Sequence, residues 1–270
     1  MLSYAQNFED VILSRALKEI RDGFYVDVGA WHPSSDSVTR HFYDGGWRGV
    51  NIEPNPAYLA LLQKERPRDV NLGVALGARK GKAKFHIFQD TGLSTLDRSI
   101  ATSHRRGGFA EEEITIDVVS LNSVFEAHAP PTVHFLKIDC EGAEAKVINA
   151  FNMKRFRPWI VLVEATRPLS QDETHLAWEP HIVEAGFQPV YFDGLNRFYL
   201  AEEKSDLKSA FLTPPNVFDG FVVAHHAEVS ADRDRLKDEL ARVAAERDGF
   251  MQAIAKLTAE RDDLLAQLSK

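Results

Sequence analysis

The chain has 270 residues, is 44% hydrophobic and carries a formal net charge of −8. That length holds one large domain with an appendage. The acid excess argues against nucleic acid as a main partner, because phosphate contacts need clustered Lys and Arg, and no apolar run approaches the roughly 18 residues of a membrane span.

The opening Met1-Leu2-Ser3-Tyr4-Ala5-Gln6 lacks the basic and apolar regions of a secretory signal. The single cysteine, Cys140, has no internal disulfide partner and fits a reducing compartment, so a cytoplasmic location is expected.

In chain order, residues 7–20 read as an amphipathic helix with an acidic first turn. A strand at about 24–28 ends on Asp27 and turns at Gly29. Residues 36–43 are expected to form a crossover helix, closed by Gly45 and Gly46. A second strand at about 49–53 ends on Glu53, and Pro54-Asn55-Pro56 leads into a helix over 57–65. Val70 to Leu76 reads as a third strand, and Lys82 to Phe88 alternates like an exposed one. Residues 90–113 have no clean period and are expected to be either a lid or substrate loop or plain disorder. Strand 114–119 and helix 121–127 follow.

The next strand, Val133 to Asp139, precedes a helix expected from Gly142 through Phe151. The nearly continuous apolar run Trp159 to Glu164 fits a strand covered on both faces. A helix at about 172–185 ends at Gly186. Strands 189–192 and 197–200 flank a hairpin turn at Asp193-Gly194-Leu195-Asn196. Strand and helix alternate, which implies an α/β fold with a mostly parallel sheet and an antiparallel edge. In such sheets ligands lie outside the carboxyl ends of the strands, and Asp27, Glu53, Asp139 and Glu164 all sit at such ends.

Residues 202–229 read as a connector that packs on the preceding domain, residues 1–201. Over 230–270, apolar residues at 236, 240, 243, 250, 254, 257, 264 and 268 recur by 3 and 4, with Arg247 and Arg261 in the remaining seam positions. This is a coiled-coil pattern, and it predicts a homo-oligomer. The heptads reach the last residues without a cap, which suggests a natural chain continuing past Lys270.

The acid-ended strand, the Gly29 turn and the second acid Glu53 are how α/β proteins hold a nucleoside. The turn Gly29-Ala30-Trp31-His32-Pro33-Ser34 lacks the further glycines of a dinucleotide site, and Trp31 and Pro33 would crowd a pyrophosphate. A cofactor without phosphates, such as S-adenosylmethionine, suits it better than a nicotinamide dinucleotide.

Longer motifs add to this. Asp27-Val28-Gly29-Ala30-Trp31-His32-Pro33, Gly46-Trp47-Arg48-Gly49, Asn51-Ile52-Glu53-Pro54-Asn55-Pro56 and Phe135-Leu136-Lys137-Ile138-Asp139-Cys140-Glu141-Gly142-Ala143-Glu144 resemble the FkbM family of methyltransferases, across about residues 3–222. Cys140 stands where the family usually has an aliphatic residue.

The resemblance implies a class I, Rossmann-like methyltransferase sheet, S-adenosylmethionine as cofactor and an O-methylated product. By position, Asp27, Gly29 and Ala30 would flank the methionine part of the cofactor. Glu53 would take the ribose hydroxyls with Asn55 beside it, and Ala75 and Leu76 would lie near the adenine. Gln6 would reach the methionine carboxylate, and Asp139 the cofactor amine or the substrate. It also implies a sugar or polysaccharide acceptor in bacterial surface-glycan assembly, with a glycosyltransferase as partner or fused domain. A polyketide hydroxyl is the alternative acceptor, and a scaffold retaining the cofactor-binding fold is the alternative role.

A sugar hydroxyl is a weak nucleophile, so a base or a metal must help. His32, Asp139, Glu141, Glu164 and His175 are the candidates, and no residue among them is singled out. Asp139 with Glu164 could instead hold a divalent metal through hard oxygen ligands.

Overall fold

The computed structural model describes residues 1–89 and 91–268. Asp90, the first residue of the expected loop, and Ser269 and Lys270, the last of the expected coiled coil, lie outside the described residues. The chain divides into two compact units, Met1–Phe221 and a second from Val222 onward.

The first unit begins with β1 (Leu2–Ser3) and α1 (Glu9–Ala16), followed by β2 (Phe24–Val28), α2 (Arg40–Asp44), β3 (Arg48–Ile52), α3 (Pro56–Glu65), β4 (Val70–Leu72) and β5 (Ala75–Leu76). Then come β6 (Gly81–Phe88), α4 (Arg98–Arg106), β7 (Glu111–Val119), α5 (Leu121–His128), β8 (Phe135–Ile138) and α6 (Glu144–Ile148). The unit continues with β9 (Ile160–Glu164), α7 (Glu179–Glu184), β10 (Phe187–Phe192) and β11 (Asn196–Ala201).

A seven-stranded sheet runs in the order β10-β11-β9-β8-β2-β3-β4. The four central strands and β4 are parallel, while β11 pairs antiparallel with both β9 and β10. This is the class I methyltransferase arrangement. The strand order reverses between β2 and β8, which places the ligand crevice at their carboxyl ends.

Alternate residues of the central strands enter two different cores. Val26, Val28, Leu136, Ile138, Val161 and Val163 pack against Val124 and Phe125 of α5, Val147 of α6 and Ile182 of α7. Tyr25, Phe135, Ile160 and Leu162 pack against Ile12 and Leu13 of α1 and Phe42 of α2. A strand buried on both faces has no polar face to alternate with, hence its continuous apolar run.

Several elements differ from expectation. The strand expected over 70–76 is two strands: β4 closes the main sheet, whereas β5 pairs with β7 in a separate sheet of order β5-β7-β6. The expected 90–113 loop contains α4 and the first part of β7. Asp97 caps α4, its side chain accepting from Ser99 N and Ile100 N. The acidic start of β7 is explained by its antiparallel partner β6, since Lys84 Nζ donates to Glu113 Oε1 at 2.6 Å. Such pairing leaves no local periodicity to read.

The helix expected from Gly142 begins at Glu144, because Glu141 (φ 51°) and Gly142 (φ 92°) are left-handed. The crossover helix shortens to α2 after Asp36 takes φ 53°. The helix expected at 172–185 is a 3-10 turn, His175–Ala177, followed by α7 with Pro180 in its first turn.

Residues 202–219 pack on α1, where Arg15 holds Asp219 at 2.6 Å and donates to Ala210 O at 2.8 Å. The second unit is dominated by α8 (Ala224–Leu268), which starts six residues before the expected 230. Its seam residues are solvent-exposed: Leu240 and Phe250 are each 70% accessible. Among the described residues no helix is long and apolar enough to cross a membrane.

Candidate active site

At the carboxyl edge of β2, β3, β8 and β9 lies a cavity of about 390 Å³, within the usual size of a small-molecule site. Gln6, Gly29, Ala30, Glu53, Ala75, Leu76, Asp139, Glu141 and Glu164 all line it. These residues come from six separate chain segments, and the parallel topology brings them to one edge.

The turn after β2 is built on Gly29, which has φ 75° and donates its N–H to Ile52 O at 3.0 Å. A Cβ there would stand 1.7 Å from the Asp139 carbonyl oxygen, so the β2 and β8 strand ends touch backbone to backbone. Only glycine allows both the conformation and the approach.

Glu53 follows β3 and is 5% exposed. Its Oε2 accepts from Trp31 N at 2.8 Å and its Oε1 from Asn55 N at 2.7 Å. A carboxylate has about four lone-pair sites, so these two bonds fix its orientation and leave acceptor capacity toward the cavity. Burial raises its pKa to about 7, against the lowering effect of the two backbone bonds. A hydroxyl pair donating to it would replace water lost on burial, as the ribose of an adenosine cofactor does.

Lys137 is the residue whose role sequence reasoning missed. It sits in the apolar β8, only 8% exposed, and donates to Gly29 O at 2.7 Å. Its ammonium lies 3.3 Å from Asp139 Oδ2 and 3.4 Å from Asp27 Oδ1. Burial alone would lower its pKa, but Asp139 and Asp27 raise it overall, so the ammonium stays charged. A lysine inside a buried strand is a cue to buried partners, yet sequence does not show which acids they are.

Behind the cavity, Asp27 is 2% exposed and its Oδ2 accepts from Thr39 Oγ1 at 2.9 Å. Arg66, fully buried, ties this layer together by donating to Thr39 Oγ1, Tyr25 Oη and Asp69 Oδ2. Asp27 therefore supports the turn through Lys137 and Thr39 rather than lining the cavity.

Asp139, Glu141 and Glu164 converge so that one oxygen of each lies within 4.8 Å of the others. Thr95 Oγ1 donates to the Glu141 carbonyl at 2.7 Å and fixes the loop. Burial, then the charge of Asp139, holds both Glu141 and Glu164 well above the usual carboxylate range.

The remaining candidates lie elsewhere. His32 does not line the cavity; its Nδ1 accepts from Ser34 N and Ser35 N at 3.1 and 2.9 Å, which commits the ring to its own loop. Asn55 caps α3 by accepting from Ala57 N. His175 sits 3.0 Å from Glu173 Oε2, outside the lining. Trp31 and Tyr58, in edge contact at 5.6 Å, add an aromatic wall, and Arg167 and Leu169 add a further side.

The Gly29 cradle, the buried Glu53 and the apolar Ala75 and Leu76 fit an adenosine cofactor that carries no phosphates. The family comparison agrees with that fit. A family model described as the methyltransferase FkbM domain matches residues 27–189, more than half of the chain. No curated protein matches. Among solved structures, the chain is similar to a TehB-like SAM-dependent methyltransferase from Corynebacterium glutamicum, with TM-score 0.38 and 6% identity over 70% of this chain and 87% of that one. It is also similar to a precorrin-6y C5,15-methyltransferase from Geobacter metallireducens, with TM-score 0.36 and 18% identity over 68% and 72%. The chain belongs to the FkbM family of methyltransferases, and its reaction class is S-adenosylmethionine-dependent methyl transfer.

Proposed function

We propose that this protein methylates a hydroxyl oxygen of a sugar, in the assembly of a bacterial surface polysaccharide. The observation that carries the reading is one cavity holding both a nucleoside-binding acid, Glu53, and a cluster of three carboxylates, Asp139, Glu141 and Glu164. Glu53 would hold the ribose, Gly29 and Ala30 the methionine part, Ala75 and Leu76 the adenine face, and Gln6 the methionine carboxylate. When bound, S-adenosylmethionine supplies an electrophilic methyl group on a sulfonium.

The carboxylate cluster faces the acceptor side. Carboxylates accept hydrogen bonds from hydroxyl donors, and the rings of Trp31 and Tyr58 offer apolar faces to a sugar. The hydroxyl proton passes to a carboxylate oxygen of the cluster. Alignment of the acceptor in the cavity supplies much of the acceleration.

The exposed apolar seam of α8 supports a homo-oligomer formed through that helix, acting as a strut or spacer in glycan assembly beside a glycosyltransferase.

Calorimetric titration with S-adenosylmethionine, S-adenosylhomocysteine and NAD, using Glu53→Ala as control, tests the cofactor. Micromolar binding of the two sulfur nucleosides, lost in the variant, is the expected result. Tight binding of NAD would overturn the reading, and silence from all three would favour a scaffold. A screen of sugar acceptors by mass spectrometry, reading the gain of one methyl group, then tests the substrate class; transfer only to a polyketide hydroxyl would overturn the sugar assignment.

A further inference from the structure

The three carboxylates raise a question that the cofactor leaves unanswered. Glu164 is 8% exposed, and its Oε2 has no contact with solvent and no hydrogen-bond partner among the described residues. Glu141 Oε2 is likewise buried without a partner among them. Buried carboxylate oxygens are normally satisfied, and each exception calls for a physical reason. The nearby ammonium does not supply one: Lys137 is spent on Asp27, Asp139 and the Gly29 carbonyl. Among the described residues, the Lys137 ammonium pairs with Asp139 and not with Glu141 or Glu164.

We propose that Asp139, Glu141 and Glu164 form a site for one hard divalent cation, of the Mg²⁺, Mn²⁺ or Ca²⁺ class. The ligand chemistry is all oxygen, which these ions prefer to nitrogen or sulfur. The span also fits. Oxygens on opposite sides of such an ion lie about 4.1 Å apart for Mg²⁺ and about 4.6–5.2 Å for Ca²⁺, and the three candidate atoms lie within 4.8 Å of one another. Three protein oxygens leave the other coordination positions toward the cavity that these residues line. There the ion would supply Lewis-acid polarisation of an acceptor oxygen.

The site rests on the methyltransferase reading for its purpose, but its existence is testable without turnover. Mn²⁺ binding to the full chain, followed by electron paramagnetic resonance of the free ion, should show one saturable micromolar site from which Mg²⁺ competes. Glu164→Gln and Glu141→Gln should each weaken Mn²⁺ at least tenfold while S-adenosylmethionine affinity in calorimetry stays within about threefold. Thermal melts of both variants establish that they fold. No saturable Mn²⁺ binding, or a site indifferent to both substitutions, would overturn the metal site while intact S-adenosylmethionine binding leaves the methyltransferase reading standing. Loss of cofactor binding by the unsubstituted protein would instead remove that reading.

Discussion

Gly29 and Asp139 meet across the strand-order reversal, where a Cβ on Gly29 would stand 1.7 Å from the Asp139 carbonyl oxygen. The contact joins the Gly29 turn to the carboxylate loop, so the two sides of the cavity are set by one backbone approach. Gly29→Ala must therefore push β2 and β8 apart or bend the turn, and it also forces alanine into φ 75°. Strain and overpacking together should cost on the order of 3 kcal/mol. A lower melting temperature and at least tenfold weaker S-adenosylmethionine binding are expected. An unchanged melt with unchanged affinity would show that the strand ends adjust freely.

Glu53 should leave a signature in the pH dependence of stability. Its folded pKa is raised from 4.5 to about 7. The stability tied to the group is fully present below pH 4.5 and is lost as pH rises to 7. At about 1.36 kcal/mol per pKa unit the loss is roughly 3 kcal/mol. Glu53→Gln abolishes this titration, although its amide cannot accept from both Trp31 N and Asn55 N. The wild type's stability relative to the variant should therefore fall across that window and be level on either side. Denaturant melts of the ligand-free proteins at a series of pH values give the difference directly, and a difference independent of pH would contradict the assignment.

Lys137 counters Asp27 and Asp139 in a buried setting. Lys137→Met leaves Asp27 buried without its cation, which typically costs about 3–5 kcal/mol. Adding Asp27→Asn should recover part of that loss. The coupling is read from a double-mutant cycle by chemical unfolding, and strict additivity would mean that the ion pair contributes nothing.

The seam of α8 should control assembly. Leu240 and Leu257 are 70% and 64% exposed in the single chain. If two copies bury this seam, replacing both residues with Glu should convert a dimer to a monomer in light scattering, with the melt of the first unit unchanged. A monomeric unsubstituted protein would rule out the coiled-coil role.

The sequence by itself determined the central strands and their acids. Phe24–Val28 and Ile160–Glu164 stand out because strands buried on both faces must be apolar, and each carries its acid at the carboxyl end. The Gly29 turn, the heptads of α8 and the family were legible for similar reasons, since each is written in neighbouring residues. Only the tertiary structure decided how distant groups pair. It split 70–76 between two sheets, because hydrogen-bond partners of β4 and β5 lie on β3 and β7. It gave Lys137 its two acids from β2 and the loop after β8, turned His32 to its own loop, and left Glu141 beside Glu164. Burial and long-range charge set these roles, and neither is encoded in the local spacing of residues.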